Sequence, residues 1–220
     1  MNPIGRRGWP VLLICMAGLL AAWVIRDLST PVRSSLRKFD AHAVARMETE
    51  MWRSYYDHRR MRLFGELAQL LRTQYHQPFW RSNLGAYHAA RAAVVFQRGH
   101  NRGEYQLALP DLRAFYRIIR ESSDTAFDVE RAARLELEWW IVHRERGLEH
   151  PEELEKALAD LQAEIFAEPA VKFAEHARTR SAAMLLRDAR KEAGGVSEGD
   201  WARIGELLDR SWGSLWSAVN

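Results

Sequence analysis

The sequence predicts an all-α protein: an N-terminal single transmembrane helix followed by a soluble helical bundle or irregular helix-pair array of about seven or eight helices. Three observations lead there. Residues Trp9–Ile25 form an uncharged apolar run between Arg6/Arg7 and Arg26. Apolar residues recur at three- and four-residue spacing through the remainder, with none of the two-residue alternation and hairpin signals of strands. Finally, 13 glycines and 7 prolines are few for 220 residues, whereas Ala, Leu, Glu and Arg, all good helix formers, are abundant.

Three segments follow: a basic tail at 1–8, a transmembrane signal anchor at 9–25, and a soluble all-helical domain at 26–220. At ~1.5 Å per residue the anchor reaches ~25 Å, short of a ~30 Å hydrocarbon core by an amount that snorkelling arginines and modest bilayer thinning close. Trp9 and Trp23 stand near its ends, where indole rings favour the interface. A cleaved export signal has the same outline, but the best cleavage point, after Ala22, has Leu20 where a small residue is needed. Ile14 before Cys15 likewise disfavours a lipid-anchored cysteine. Ala17 with Ala21, and Gly18 with Ala22, have the four-residue spacing that lets another membrane helix approach. Basic residues flank both ends, so orientation rests on the signal-anchor pattern, which places the bulk outside the cytoplasm. Cys15 is the only cysteine, which excludes disulfides and thiolate metal sites from the soluble domain.

Thr30–Pro31 reads as an N-cap followed by proline at the first helical position. Helical spacing continues through Leu36, Phe39, Val44, Met47 and Met51, giving one long helix or two broken around Asp57–Arg62. Further helices are expected from about Ser82 to Gln97, from Leu109 to near Ser122, and from a Ser123/Asp124 cap to a stop at Gly147. Pro151 opens another, ending before Pro169, and Ala170–Ala193 forms the next, stopped by Gly194–Gly195. Ser197 and Asp200 make an incomplete capping box for the last, which runs to about Ala218. No internal repeat or linker divides the domain.

Charge is uneven. Residues 1–120 hold 19 Lys/Arg against 8 Asp/Glu, and residues 121–220 hold 13 against 21. Either the two halves neutralise each other on packing, or the membrane-proximal half presents a basic surface to anionic headgroups or an acidic partner. No nucleic-acid motif accompanies the arginines.

Catalytic motifs are lacking: no phosphate loop, nucleophile elbow, zinc helix or haem motif is present, and the sequence supplies no reason to assign a cofactor or a metal. Candidate residues are Glu136 and His143, which share a helix face with Trp140, and Glu48 and His58, near Trp52 and Tyr55 on the first soluble helix. A buried glutamate of this kind has a raised pKa suited to proton transfer; the plainer reading pairs Glu136 with an arginine of a neighbouring helix. A di-metal carboxylate bundle needs Glu-x-x-His pairs, and none occurs. Asn101–Arg102–Gly103 reads as a solvated turn before an anion site. Trp201, Trp212 and Trp216 mark the last helix either as docked in the core or as a partner-binding face. The expectation is a membrane-anchored accessory or scaffold protein that binds other membrane or membrane-associated proteins, with no nucleic acid. The alternatives are a helical enzyme built on Glu48, His58, Glu136 and His143, and a binder of anionic lipid or a small molecule through the basic half.

Overall fold

The computed structural model describes residues 8–146 and 150–220; the tail before Gly8 and the expected stop at Gly147 lie outside them. Helix α1 (Gly8–Ser29) precedes eight helices of three turns or more among the described residues: α2 (Ala41–Tyr56), α3 (Arg60–Thr73), α4 (Phe79–Arg98), α6 (Leu109–Glu121), α7 (Val129–Arg146), α8 (Pro151–Phe166), α9 (Ala174–Glu192) and α10 (Glu198–Val219). A single turn, α5 (Arg102–Tyr105), sits in the connection between α4 and α6. Each of the eight packs against its neighbours in sequence, and α10 packs back on α2, so they close into an up-and-down ring.

The ring has two rims. One carries the connections at 57–59, 99–108 and 193–197. The other carries those at 74–78, 122–128 and 167–173, the end of α10, and the exit of α1. The seam between α2 and α10 is held by Arg53, which bonds both oxygens of Glu198 at 3.0 and 2.8 Å and lies over the Trp201 ring. His42 meets Asp209 further along. A separate apolar cluster of Ala45, Ala183, Trp201, Ile204, Leu207 and Leu208 fills the wedge between α2, α9 and α10.

Local chemistry explains most element boundaries. Ser197 and Asp200 complete a full capping box, the Asp reaching back to the cap N–H as a Glu would. Gly194 and Gly195, at φ 115° and 139°, take the chain out of α9 through backbone that other residues avoid. The break after α2 falls at Asp57–Arg59, so the first soluble stretch is two helices, with His58 at φ 58° reversing the chain. The start of α7 is set by Asp128, whose carboxylate accepts from the N–H groups of Glu130 and Arg131, rather than by Ser123/Asp124.

The largest departure from expectation is residues 30–40. Thr30–Pro31 does not open a helix; Asp40 caps α2, accepting from Ala43 N–H at 3.0 Å. Phe39 and Val44, at the spacing of a hydrophobic staple around that cap, both join the core. The segment before it is an extended strap across the α1-side rim. Ser34 N–H donates to Ser122 O and Ser34 O accepts from Asp124 N–H. The Ser34 hydroxyl donates to Tyr75 O, and Arg37 donates to Val219 O and Phe166 O at 2.7 and 3.0 Å. Partners on two rim loops and at the ends of α8 and α10 outweigh the few bonds a short helix offers, and leave Leu36 pointing into the ring, 4% exposed.

Helix α1 is long and apolar enough to cross a membrane, and its residues 9–23 are exposed. Its far end is fixed by reciprocal capping with α4. The Asp27 carboxylate accepts from the Trp80 and Arg81 N–H groups, both at 3.1 Å, at the start of α4. Arg81 in turn donates to Leu28 O and Thr30 O at the end of α1. Trp23 packs on Phe79 and Trp80 with centroids 5.4 and 5.3 Å apart. Arg81→Met strips the bonds to the end of α1, and we expect a loss of about 2–3 kcal/mol, measured by denaturant unfolding, together with faster proteolysis between residues 29 and 35.

Candidate functional site

The inner faces of all eight ring helices enclose one cavity of about 780 Å³. Helical spacing delivers its walls: α2 turns Glu48, Met51, Trp52 and Tyr55 inward, and α7 turns Glu136, Trp139, Trp140 and His143 inward. At the α1-side rim the floor is Leu36 of the strap with Val44, Ile119, Phe166 and Leu215, all buried. At the other rim the lining ends in exposed or half-exposed charged groups, among them Arg144, Glu145, Lys191 and Glu192. The cavity therefore has a closed apolar floor on the side of α1 and a polar mouth away from it.

Two carboxylates sit between floor and mouth. Glu48 receives the Arg180 guanidinium and the Trp212 indole N–H. Trp139 and Trp212 flank that guanidinium with ring centroids 5.7 and 5.8 Å from its carbon, and the Arg180 Nε is buried without a partner. Glu136 accepts from the Tyr116 hydroxyl at 2.7 Å and from Trp140 Nε1 at 3.0 Å. Burial pushes the Glu136 carboxyl above its ordinary value against the opposing pull of these donors and of Arg180. Burial and the adjoining Glu136 carboxylate push the Tyr116 hydroxyl up as well.

Behind this pair stands His176, fully buried between α9 and α10. Its Nδ1 lies 3.1 Å from Ser211 O, and the Ser211 hydroxyl donates to His176 O. Burial, reinforced by Arg180, lowers its pKa to about 3, so the ring is neutral and its edge packs against Trp212, 5.7 Å between centroids. At the mouth, Arg187 stacks on Tyr56 and bonds Asp188, which also lies 2.8 Å from His143 Nε2.

The structure thus brings three of the four candidate residues, Glu48, Glu136 and His143, to one cavity. His58 is not with them: it lies past the end of α2, exposed, with its Nδ1 3.3 Å from Gln97. The carboxylate held by an arginine of another helix is Glu48, whereas Glu136 is held by a phenol and an indole. Among the described residues no group of three His, Cys, Asp or Glu side chains has the geometry to hold a metal. The Asn101 turn is a cap, its side chain accepting from Glu104 N–H while Arg102 pairs with Glu145. On α10, Trp201 is buried and Trp212 binds Glu48, and Trp216 stands 45% exposed at the α1-side rim. Ala17, Gly18, Ala21 and Ala22 lie on the exposed part of α1.

Sequence reasoning missed Arg180 and Tyr116. The signal for Arg180 was present: it interrupts the stripe Phe173, Ala177, Met184 at the position where an apolar residue belongs, and a charge there needs a buried partner. Tyr116 carried no such mark.

Glu48→Ala leaves Arg180 buried and uncompensated, and we expect a loss of about 3–5 kcal/mol; the double variant Glu48→Leu/Arg180→Met loses less than the single one, as chemical denaturation of both will show. His176 gives a pH signature. Its folded pKa lies below the unfolded value of 6.5, so its contribution is complete above pH 6.5 and is lost as pH falls toward 3. Over that window the stability of His176→Leu should fall less steeply than that of the parent, by up to about 1.4 kcal/mol per pH unit. Compared with protein-family models, curated proteins and solved structures, the chain matches none of them, and its function is read from this cavity.

Proposed function

We propose that this is a single-pass membrane protein whose helical ring binds a small apolar or amphiphilic molecule. The carrying observation is the cavity: about 780 Å³, enclosed by every helix of the ring, within the range of roughly 300–1,000 Å³ typical of small-molecule sites. Its chemistry is that of such sites, with aromatic and aliphatic walls and a few convergent polar groups. Trp52, Trp139, Trp140 and Met184 offer broad apolar surface. Tyr75 and Gln162 reach the same space from α3's end and from α8 and supply hydrogen-bonding groups for a ligand's polar end. α1 holds the ring at the bilayer, and the signal-anchor pattern sets the ring outside the cytoplasm.

An accessory or scaffold role remains compatible with the anchor, but of the three tryptophans read as either core-docking or partner-facing, Trp201 is buried in the wedge between α2, α9 and α10 and Trp212 is bonded to Glu48. The cavity is the more specific feature. An enzymatic role for Glu48 and Glu136 has less support, since the first is paired with Arg180 and each already accepts hydrogen bonds from protein side chains.

The test uses the full chain in lipid nanodiscs. Solvent extraction and mass spectrometry should recover a retained apolar compound, and an environment-sensitive dye should bind and be displaced by it. Ala93, which lines the cavity from α4, gives the control: Ala93→Phe fills the space, and we expect dye uptake to fall at least tenfold with the melting temperature held or raised. Wild-type protein that retains nothing and takes up no dye would falsify the reading.

A further inference from the structure

A second recess lies outside the ring, on the α1-side rim. Arg37, Lys38, Phe39, Asp40, His76 and Trp216 border a groove of about 490 Å³ between the strap, the end of α3 and the end of α10. Three observations bear on what occupies it.

The first is position. His76 is three residues before Phe79, whose ring stacks on Trp23 of α1, and Trp23 sits in the last third of Trp9–Ser29, the segment apolar enough to cross a membrane. The reciprocal caps between Asp27 and Arg81 hold this juncture without slack. The groove therefore lies one short loop from the point where α1 leaves the apolar phase.

The second is charge. Lys38 is exposed and forms no ion pair among the described residues. Arg72 stands beside the groove rather than in its wall: it lies over the Phe79 ring at 4.7 Å, its Nε donates to the Ser82 hydroxyl at 3.4 Å, and it has no carboxylate partner among the described residues. Asp40, the groove's own carboxylate, is turned into the first turn of α2 as its N-cap, and Arg37 is committed to the two backbone carbonyls of the strap lock and to Glu168. The charge left for an outside group is positive.

The third is Trp216, 45% exposed at the groove edge. An indole with one apolar side free, next to cations and beside a membrane helix, matches the side chains that settle at the headgroup level.

We propose that this sector of the rim rests on the bilayer and that the groove seats the phosphate headgroup of an anionic phospholipid, paired by Lys38 and flanked by Trp216, with Arg72 adding positive charge on the neighbouring part of the rim. The proposal rests on membrane attachment through α1, and it fixes the ring's pose: the groove faces the lipid, and the cavity mouth faces away from it.

The full chain is reconstituted into vesicles of phosphatidylcholine alone or with about a third phosphatidylglycerol, with acyl chains brominated near the glycerol. Alkaline washing first reports attachment: protein that washes off overturns both the attachment and the groove. For protein that stays, the fluorescence of Trp216 is taken as the difference between wild type and Trp216→Phe. Quenching of that difference is expected in both vesicles and stronger with the anionic lipid. Lys38→Glu/Arg72→Glu should abolish the anionic enhancement, each lost charge reducing the preference about fivefold, while attachment persists. A Trp216 component that escapes quenching in firmly attached protein overturns the groove alone. Equal quenching in the two vesicles overturns the anionic headgroup and leaves a neutral interfacial contact.

Discussion

Closure of the ring is the constraint from which the rest follows. Eight helices spaced ~9–10 Å apart on a closed circle put their axes ~12 Å from the centre, and a helix body with a radius of ~5–6 Å leaves an opening that ordinary side chains do not fill. Large inward residues reduce it: Trp52, Trp139, Trp140, Tyr116, Phe115 and Leu70 all project there. What they leave is the cavity. It is a product of helix number and closure, so it persists as long as α10 stays on α2. Polar groups inside such a space must find one another, and they do so between helices distant in sequence: Glu48 with Arg180 and Trp212, Glu136 with Tyr116. These bonds tie α2 to α9 and α10, and α6 to α7, and so also fix how the walls stand.

Charge asymmetry along the sequence is partly resolved by the same closure. Arg53 of the basic half pairs with Glu198 of the acidic half, Arg102 with Glu145, Arg113 with Glu130 and Arg37 with Glu168. Folding the chain into a ring lays its beginning beside its end, so opposite signs meet at the seam and between successive helices. Lys38 and Arg72 stay outside these pairings, on the rim next to α1.

Helix existence was legible because three- and four-residue spacing survives wherever one face is buried, and stops were legible where Gly194–Gly195 or Ser197 carry a backbone reason. The strap was not. Thr30–Pro31 satisfies a local rule for a helix start, and what overrides it is a set of carbonyls at Tyr75, Ser122, Phe166 and Val219 that no local window contains. The inward orientation of Glu48, Glu136 and His143 could be read from their spacing. Their partners could not, since that requires knowing that α2 neighbours α9 and α10. His58 failed for a related reason: it stays beside Trp52 and Tyr55 only while the helix continues, and the helix ends at Tyr56.

The strap also sets an order of events. Arg37 bonds Val219 O, 182 positions along the chain, and Asn220 returns a bond to Arg37 O. The strap is therefore not seated until residues 182 positions further along have been made. Local helix pairs such as α3 with α4 need no such delay, whereas the floor and the seam are long-range contacts of the slow kind. Until they form, the inner aromatic faces are open to water, a state prone to the wrong partners. A nascent chain of this design is most vulnerable in the interval before α10 closes on α2.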